Sequence, residues 1–165
     1  MEIKYLKSFA DNPTLAGWTN KGLSIAQIQD LEIQYLNGAQ FPRAYREFLF
    51  LAGERTYIEA DIIDWEDMIE DAEEQFEIYG ISKINRPIWI TDQVDACQQF
   101  GFIYLDENVE DPIIYNCRPA YVDLGDKLIE PRPQGVFSNY IDACVERAKV
   151  IDESLKKRRE QGLND

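Results

Sequence analysis

Histidine is absent from the sequence, and glycine is sparse. Because imidazole is the side chain whose ordinary pKa lies closest to neutral pH, its absence excludes the catalytic dyads and triads that are built on it. The nine glycines are scattered and form neither GxGxxG nor GxxxxGK, the two phosphate-binding loop patterns. Carboxylates remain, but they lie in a dense hydrated row where nothing separates the pKa values of an acid and a base. We therefore expect no catalytic residues and no enzymatic activity.

Cysteine is also scarce, with single residues at positions 97, 117 and 144. They form no CxxC pair, and without histidine a zinc site would need a carboxylate as well. We expect three buried thiols in a reducing compartment. The stretch DENVEDPIIYNC (106–117) has neither the glycine at the sixth place nor the glutamate at the twelfth that an EF-hand loop requires. The sequence predicts no metal site and no cofactor.

Long apolar runs are missing, and the N-terminal residues MEIKYLKSFADNP lack the basic-then-apolar order of a secretory signal. We therefore expect a cytoplasmic protein with no membrane partner. With 165 residues, 45% of them hydrophobic, the chain has the size and composition of one domain with a substantial core. A monomer is the favoured oligomeric state.

Positive charge is scarcest in the middle of the chain. Of 31 acidic and 17 basic residues, 16 and 2 respectively lie in residues 56–117, which leaves 15 of each sign in the flanks. The whole net charge of −14 therefore belongs to this segment. Direct binding of nucleic acid through it is disfavoured, since phosphate contacts need cations. A basic partner, a metal ion or simple solubility would each account for the excess.

Helices are predicted on both sides of Gly38. Ser24 and Gln27 form a capping box, and Gly38 lies just past the end of the helix that they begin. Pro42 is predicted in the first turn of the next helix, which ends at Gly53. The predicted buried stripes are Ile25, Ile28, Leu31, Tyr35 and Leu36 in the first helix, and Tyr45, Phe48, Leu49 and Ala52 in the second.

A third helix is predicted from Asp64, its expected N-cap, within a stretch (61–80) that holds nine carboxylates and no basic side chain. Its apolar stripe is Trp65, Met68, Ile69, Ala72, Phe76 and Tyr79, and its acidic side is Glu66, Asp67, Glu70, Asp71, Glu73, Glu74 and Glu77. Four like-charged i,i+4 pairs repel one another by a sum on the order of 1 kcal/mol. The acidic side is either a solvated face or a surface for a cationic partner.

The second half of the chain is dominated by short β-branched and aromatic runs, which are typical of strands. Predicted strands are 86–91, 100–106 and 111–117, with further candidates at TYIEADI (56–62) and AYVDL (120–124). The acidic residues DENVED (106–111) are expected to form a hairpin loop. Ser138 is the predicted N-cap of a last helix that frays in KKRREQGLND (156–165); its inner face is Ile141, Cys144, Val145, Ala148 and Ile151. These elements predict an α+β fold.

Residues 23–54, LSIAQIQDLEIQYLNGAQFPRAYREFLFLAGE, resemble the opening of the SUKH superfamily, which includes the Smi/Knr cell-wall-regulator domains and many bacterial immunity proteins. The family signature is a helix, a turn, then Leu-Pro-x-x-Tyr-x-x-Phe-Leu and Asn-Gly. Matches are Pro42, Tyr45, Phe48 and Leu49; departures are Phe41 in place of leucine and Ala52-Gly53-Glu54 where Asn-Gly is common. FGFIYLDENVEDPIIYNC and FSNYIDACVERA are similar to later strands and the closing helix, so that the resemblance covers residues 23–148.

The resemblance implies a single α+β domain, with an antiparallel sheet and helices packed around it. Its implied domain limits are an N-terminal extension packed on the domain (1–22), the SUKH-like domain (23–150) and a charged, partly frayed helix end (151–165). It further implies stoichiometric neutralisation of a cognate toxin domain of a polymorphic toxin system, often a nuclease. The alternative is a regulatory interaction scaffold of the Smi/Knr type with a host protein partner.

Together, the charge map and the resemblance predict a partner-binding surface that takes a basic toxin domain. Its candidate residues are Glu66, Asp67, Glu70, Asp71, Glu73, Glu74, Glu77, Asp106, Glu107, Glu110 and Asp111.

Overall fold

The computed structural model describes residues 1–58, 65–125 and 127–161, and of Trp65 only the backbone. The elements in chain order are α1 (Lys7–Asp11), β1 (Thr14–Leu15), β2 (Trp18–Thr19), α2 (Ile25–Leu36), α3 (Arg43–Ala52), α4 (Trp65–Ile78), β3 (Ile88–Val94), β4 (Gln99–Tyr104), β5 (Ile113–Cys117), a 3-10 helix (Pro119–Leu124), β6 (Ile129–Val136) and α5 (Phe137–Glu160). The predicted α+β class is confirmed.

Strands β3 to β6 form one antiparallel sheet in sequential order, and β1 and β2 form a separate small hairpin. On one face of the large sheet, the Trp89 ring lies 5.0 Å from that of Phe48 in α3 and 5.8 Å from that of Phe137 in α5. On the other face, Phe100 packs against Phe76 of α4, with ring centroids 6.2 Å apart. The sheet therefore lies between α3 and α5 on one side and α4 on the other.

The predicted ends of α2 and α3 are largely confirmed. Ser24 and Gln27 form the reciprocal capping box, and Asn37 ends α2 in the left-handed conformation, directly before Gly38. Gly53 is the C-cap of α3. Pro42 is the N-cap of α3 and lies one residue before its first turn. At that place its missing N–H again costs no hydrogen bond inside the helix.

One position of the predicted α2 stripe is wrong: Ile25 is exposed, and the buried residues of the helix are Ile28 and Glu32. The Glu32 carboxylate accepts a hydrogen bond from the N–H of Phe41 at 2.9 Å and lies 3.0 Å from Nε of Arg46. These partners in the turn before α3 and in α3 itself make the burial of a charge tolerable.

A second buried carboxylate fastens the N-terminal segment to α3. Glu47 accepts hydrogen bonds from the N–H groups of residues 4–6 at 2.8–3.0 Å, and from Nε of Arg43 at 2.9 Å. Burial would raise the pKa of the Glu47 carboxyl, but these donors hold it below its ordinary value. Leu6 and Phe9 of the fastened segment are fully buried in the core.

The predicted strand AYVDL (120–124) is wrong, because these residues belong to the 3-10 helix after Pro119. The fourth strand of the sheet is instead β6, which contains Pro131 and Pro133. The two prolines make this strand difficult to predict from the sequence, since each lacks the N–H that a central strand would need. β6 tolerates them because, among the strands that the structure describes, it lies at the edge of the sheet and pairs only with β5.

The predicted N-cap of α5 is also wrong. Its N-cap is Val136, which has no capping side chain, and Ser138 lies inside the first turn. The carboxylate of Asp111 accepts hydrogen bonds from the Ser138 N–H at 3.0 Å and from its hydroxyl at 2.6 Å. Asp111, in the β4–β5 loop, therefore caps α5, whereas the sequence predicted that Ser138 would do so. The helix continues to Glu160.

The other three predicted strands are present as β3, β4 and β5, and their ends differ from the predicted ones by at most three residues. All three cysteines are free and buried, as predicted. The predicted cap Asp64, residues 59–62 of the candidate strand 56–62, and residues 162–165 lie outside the described residues. Residues 56–58 of that candidate are not in a strand.

Candidate functional site

Helix α4 presents its carboxylates to solvent, as its sequence pattern predicts. Met68, Ala72 and Phe76 are buried against the sheet, and Ile69 and Tyr79 are half-buried beside them. The exposed carboxylates on the opposite side are Glu66, Asp67, Glu70, Glu73, Glu74 and Glu77, while Asp71 is half-buried. The helix therefore separates an apolar face from a broad acidic one.

The carboxylates of α4 form two parallel rows with the same i, i+4, i+7 spacing. Glu66, Glu70 and Glu73 line a groove on one side of the helix, and we refer to them as the groove row. The second set, Asp67, Asp71 and Glu74, is rotated by one residue and is called the turn row. Within it, Asp71 lies near the β3–β4 turn, where burial and, to a smaller extent, the negative charge of Asp71 raise the pKa of the Cys97 thiol to about 12.

Lys83 partly compensates the acidic face. Its ammonium lies 2.7 Å from Glu73 and 3.6 Å from Glu77, and the hydrogen bond with Glu73 is the main cause of its raised pKa. Glu66 accepts a hydrogen bond from the Tyr35 hydroxyl at 3.0 Å. Among the residues that the structure describes, the other four carboxylates of the two rows, Asp67, Glu70, Asp71 and Glu74, form no ion pair. These four negative charges thus have no partner cation in the part of the chain that the structure describes.

The groove beside α4 has a volume of about 430 Å3 and runs between the end of α2, helix α4 and the segment that leads into β3. Its apolar lining is Ile69, Ala72, Phe76, Ile84, Pro87 and Ile88. The groove row forms one edge, while Lys83 and Arg86 lie at the same groove on the segment before β3. An apolar floor with charged edges is the arrangement found in binding sites for proteins and small molecules.

Arg86 links this groove to the first half of the 106–111 loop. Its guanidinium lies 2.6 Å from Asp106 and 3.9 Å from Glu107, and it stacks on the Tyr104 ring at 3.8 Å. The hydrogen bond from Arg86 lowers the pKa of the Asp106 carboxyl, whereas burial raises that of Glu107. Asp106 and Glu107 therefore lie next to the groove, with Arg86 between them and α4.

The second half of the 106–111 loop makes contacts that stabilise the fold. Glu110 pairs with Lys4 and accepts a hydrogen bond from the Tyr5 hydroxyl at 2.6 Å, and the hydrogen bond from Lys4 lowers the pKa of the Glu110 carboxyl. The backbone carbonyl of Glu110 accepts from the N–H of Ala44 at the start of α3. Asp111 caps α5, as described above. The structure thus brings Asp106 and Glu107 close to the α4 groove and ties Glu110 and Asp111 to other elements.

Several groove residues were not predicted from the sequence, namely Tyr35, Lys83, Ile84, Arg86 and Pro87. The sequence does carry a signal, because Ile81 and Ile84 are apolar residues in a segment between a helix and a strand, where polar residues are usual. Their partial burial explains why such residues occur there.

Within the described ranges, no group of three or more cysteine, aspartate and glutamate side chains is arranged to hold a metal ion. No helix in this part of the chain is long and apolar enough to cross a bilayer. The feature that stands out is an acidic, partly uncompensated helix beside an apolar groove, which is suited to binding a cationic surface. No protein-family model, curated protein or solved structure gives a significant match to this chain.

Proposed function

We propose that the protein is an immunity protein, which binds a basic toxin domain stoichiometrically and neutralises it without chemistry. The observation that carries the proposal is the acidic face of α4, four of whose carboxylates form no ion pair with the described residues. The proposal of a toxin, rather than another cationic protein, draws on the resemblance of residues 23–148 to the SUKH superfamily.

Electrostatic steering is the first step of the proposed mechanism. The negative potential of α4 raises the rate of encounter with a cationic domain, and this acceleration falls as salt screens the charges. Like-charged neighbours such as Glu70 and Glu74 repel each other in the free protein. A partner that places lysine or arginine between them relieves this repulsion, which favours the complex.

Apolar contacts next to the charges then slow dissociation, because buried anchor side chains carry most of the binding energy of an interface. If the toxin is a nuclease, its phosphate-binding groove must be basic. Helix α4 would then fill the space that nucleic acid otherwise occupies, or bind directly beside it. Either position blocks the toxin without any reaction.

The proposal predicts that a gene beside this one encodes a large toxin with a basic C-terminal domain, and the test uses that domain; neighbouring genes without such a toxin would count against the proposal. Co-expression should yield a complex of fixed stoichiometry, and toxin activity should disappear at the equivalence point of a titration. The association rate should fall steeply between low and high salt, while the dissociation rate changes little. Absence of a complex, or loss of toxin activity at strongly substoichiometric amounts, would contradict the proposal.

A further inference from the structure

The groove beside α4 combines an apolar floor with a row of carboxylates along one edge, and this combination specifies its occupant. We infer that the groove takes an apolar side chain from a lysine- or arginine-rich segment of a protein partner, with the cations of that segment lying against Glu66 and Glu70. The inference deepens the proposed function and rests on it, since it assigns the docking point on the same helix.

The apolar side chains on the floor of the groove are only partly accessible to solvent. Ile69 and Ile84 are half-buried, while Phe76 and Ile88 beneath them are buried. The volume of about 430 Å3 lies within the range of roughly 300–1,000 Å3 that is typical of ligand sites. An apolar side chain inserted here would exclude water from both half-buried isoleucines, as anchor residues do at the centre of protein interfaces.

The charges at the groove favour a cationic neighbour for that anchor. In the described part of the chain Glu70 forms no ion pair, and the Glu66 carboxylate accepts one hydrogen bond, from the Tyr35 hydroxyl. A carboxylate accepts several hydrogen bonds, so Glu66 retains capacity for a further donor. The two cations at the groove are already engaged, Lys83 by Glu73 and Arg86 by Asp106. An incoming cation meets an unpaired carboxylate, whereas an incoming anion would have to displace one.

The groove is also formed before any partner arrives. The hydrogen bond between Tyr35 and Glu66 joins α2 to α4, and the pair of Lys83 with Glu73 joins α4 to the segment before β3. Walls that are already positioned lose less conformational entropy when the partner binds. Glu66 and Glu73 thus shape the groove, and Glu70 between them is available to the partner.

The test requires no knowledge of the natural partner. A phage library of random peptides is selected against the full-length protein, and the tightest peptide is synthesised and its Kd measured by fluorescence anisotropy. We expect the selected peptides to combine a large apolar residue with neighbouring lysine or arginine. Selection of neutral or acidic peptides, or of none, would overturn the inference.

A matched pair of substitutions isolates the apolar floor. Ile84→Glu and Ile78→Glu each add one negative charge, but Ile78 lies on α4 outside the groove and is 61% exposed. Ile84→Glu should weaken peptide binding by about tenfold or more, the loss expected for an interface anchor, although the added charge alone would strengthen it. Ile78→Glu should leave the Kd unchanged or slightly lower. Equal effects of the two would reject the groove as the docking point.

A second pair isolates the acidic edge. Glu70 and Glu74 are both exposed and unpaired among the described residues, but only Glu70 lines the groove. Glu70→Lys should weaken binding at least several-fold more than Glu74→Lys, which changes the net charge equally. Circular dichroism checks that each variant is folded. If Ile84→Glu does not fold, Ile84→Ala and Ile78→Ala replace the first pair, with the same order of effects expected.

The outcomes separate this inference from the proposed function. Peptides that dock in the groove of a protein that neutralises no toxin would support the groove and reject the immunity function. A toxin neutralised equally well by the wild-type protein and the folded groove variants would support the function and reject the groove.

Discussion

Replacement of Glu47 by alanine should destabilise the protein strongly, although the residue belongs to neither the groove nor the acidic face. Its side chain is fully buried and holds the N–H groups of residues 4–6 at 2.8–3.0 Å and Nε of Arg43 at 2.9 Å. Removing the carboxylate leaves Arg43 without its buried partner and the backbone donors without an acceptor. Each buried donor left without an acceptor costs about 1–3 kcal/mol.

The Glu47→Ala variant could instead release its N-terminal segment, and the loss of stability would then be similar. The N-terminal segment can detach and hydrate its free N–H groups, but Leu6 and Phe9 then leave the core, where both are buried. Re-exposing each of them costs about 1.5–3 kcal/mol. Since the free energy of unfolding of small domains is about 5–15 kcal/mol, either route removes a large share of it.

Urea unfolding followed by tryptophan fluorescence measures this loss, because Trp89 is buried in the same core. Glu146→Ala is the matched control: Glu146 is an exposed helical glutamate paired with Lys149 at i,i+3, and its loss should change the free energy of unfolding by less than about 1 kcal/mol. A Glu47→Ala variant that is as stable as the control would refute the structural role assigned to this carboxylate.

The pH dependence of the Glu47 effect follows from the lowered pKa of the folded state. Its stabilisation is fully present above the ordinary glutamate pKa of 4.5 and is lost as the pH falls through the lower pKa of the folded protein. The difference in stability between the wild type and Glu47→Gln should therefore shrink as the pH is lowered from neutral toward strongly acidic values. A difference that grows on acidification would contradict the assignment.

Two further substitutions test contacts of the sheet and of α5. Gly101→Ala should destabilise the protein by about 1–3 kcal/mol in thermal or urea unfolding, because a Cβ at this residue overlaps the Arg132 guanidinium and the Asp92 carboxylate, which pair at 2.6 Å. The penalty should be smaller in an Arg132→Ala background; an equal penalty there would show that the overlap is not its cause. Asp111→Ala should cost about 0.5–2 kcal/mol by removing the cap of α5, and should do so less in a Ser138→Ala background; no measurable cost would exclude Asp111 as the cap.

Local patterns predicted most of the secondary structure, because the interactions behind them involve neighbouring residues. The capping box of Ser24 and Gln27 and the division of α4 into two faces depend on spacings of three and four residues, which the sequence displays directly. The choice of AYVDL (120–124) as the fourth strand instead of β6 was wrong because the correct choice depends on contacts between distant residues. Pro131 and Pro133 argue against a strand unless it is known to be an edge strand, and that is a property of the assembled sheet.

The candidate functional site was only partly predictable for the same reason. The exposed carboxylates of α4 follow from its periodicity, but their compensation does not, because Lys83 reaches Glu73 from another element. The sequence pattern predicts Glu110 and Asp111 in an acidic loop. It does not show that Glu110 pairs with Lys4 or that Asp111 caps α5. Contacts between residues far apart in sequence decide which carboxylates are paired within the protein.

The acidic face of α4 is tested most directly by the Kd of the proposed cognate toxin domain for the Glu70→Lys, Glu74→Lys, Glu77→Lys triple variant. A control with equal charge change carries Asp11→Lys, Glu146→Lys and Glu153→Lys, on α1 and α5.

We predict that the α4 variant loses measurable binding and stays folded. The reversal converts the repulsive pairs of Glu66 with residue 70 and of Glu73 with residue 77 into attractive ones, which offsets the lost attraction between Glu77 and Lys83. The control should bind with nearly the wild-type Kd. Unchanged binding by a folded α4 variant, or an equal loss in the control, would contradict the account.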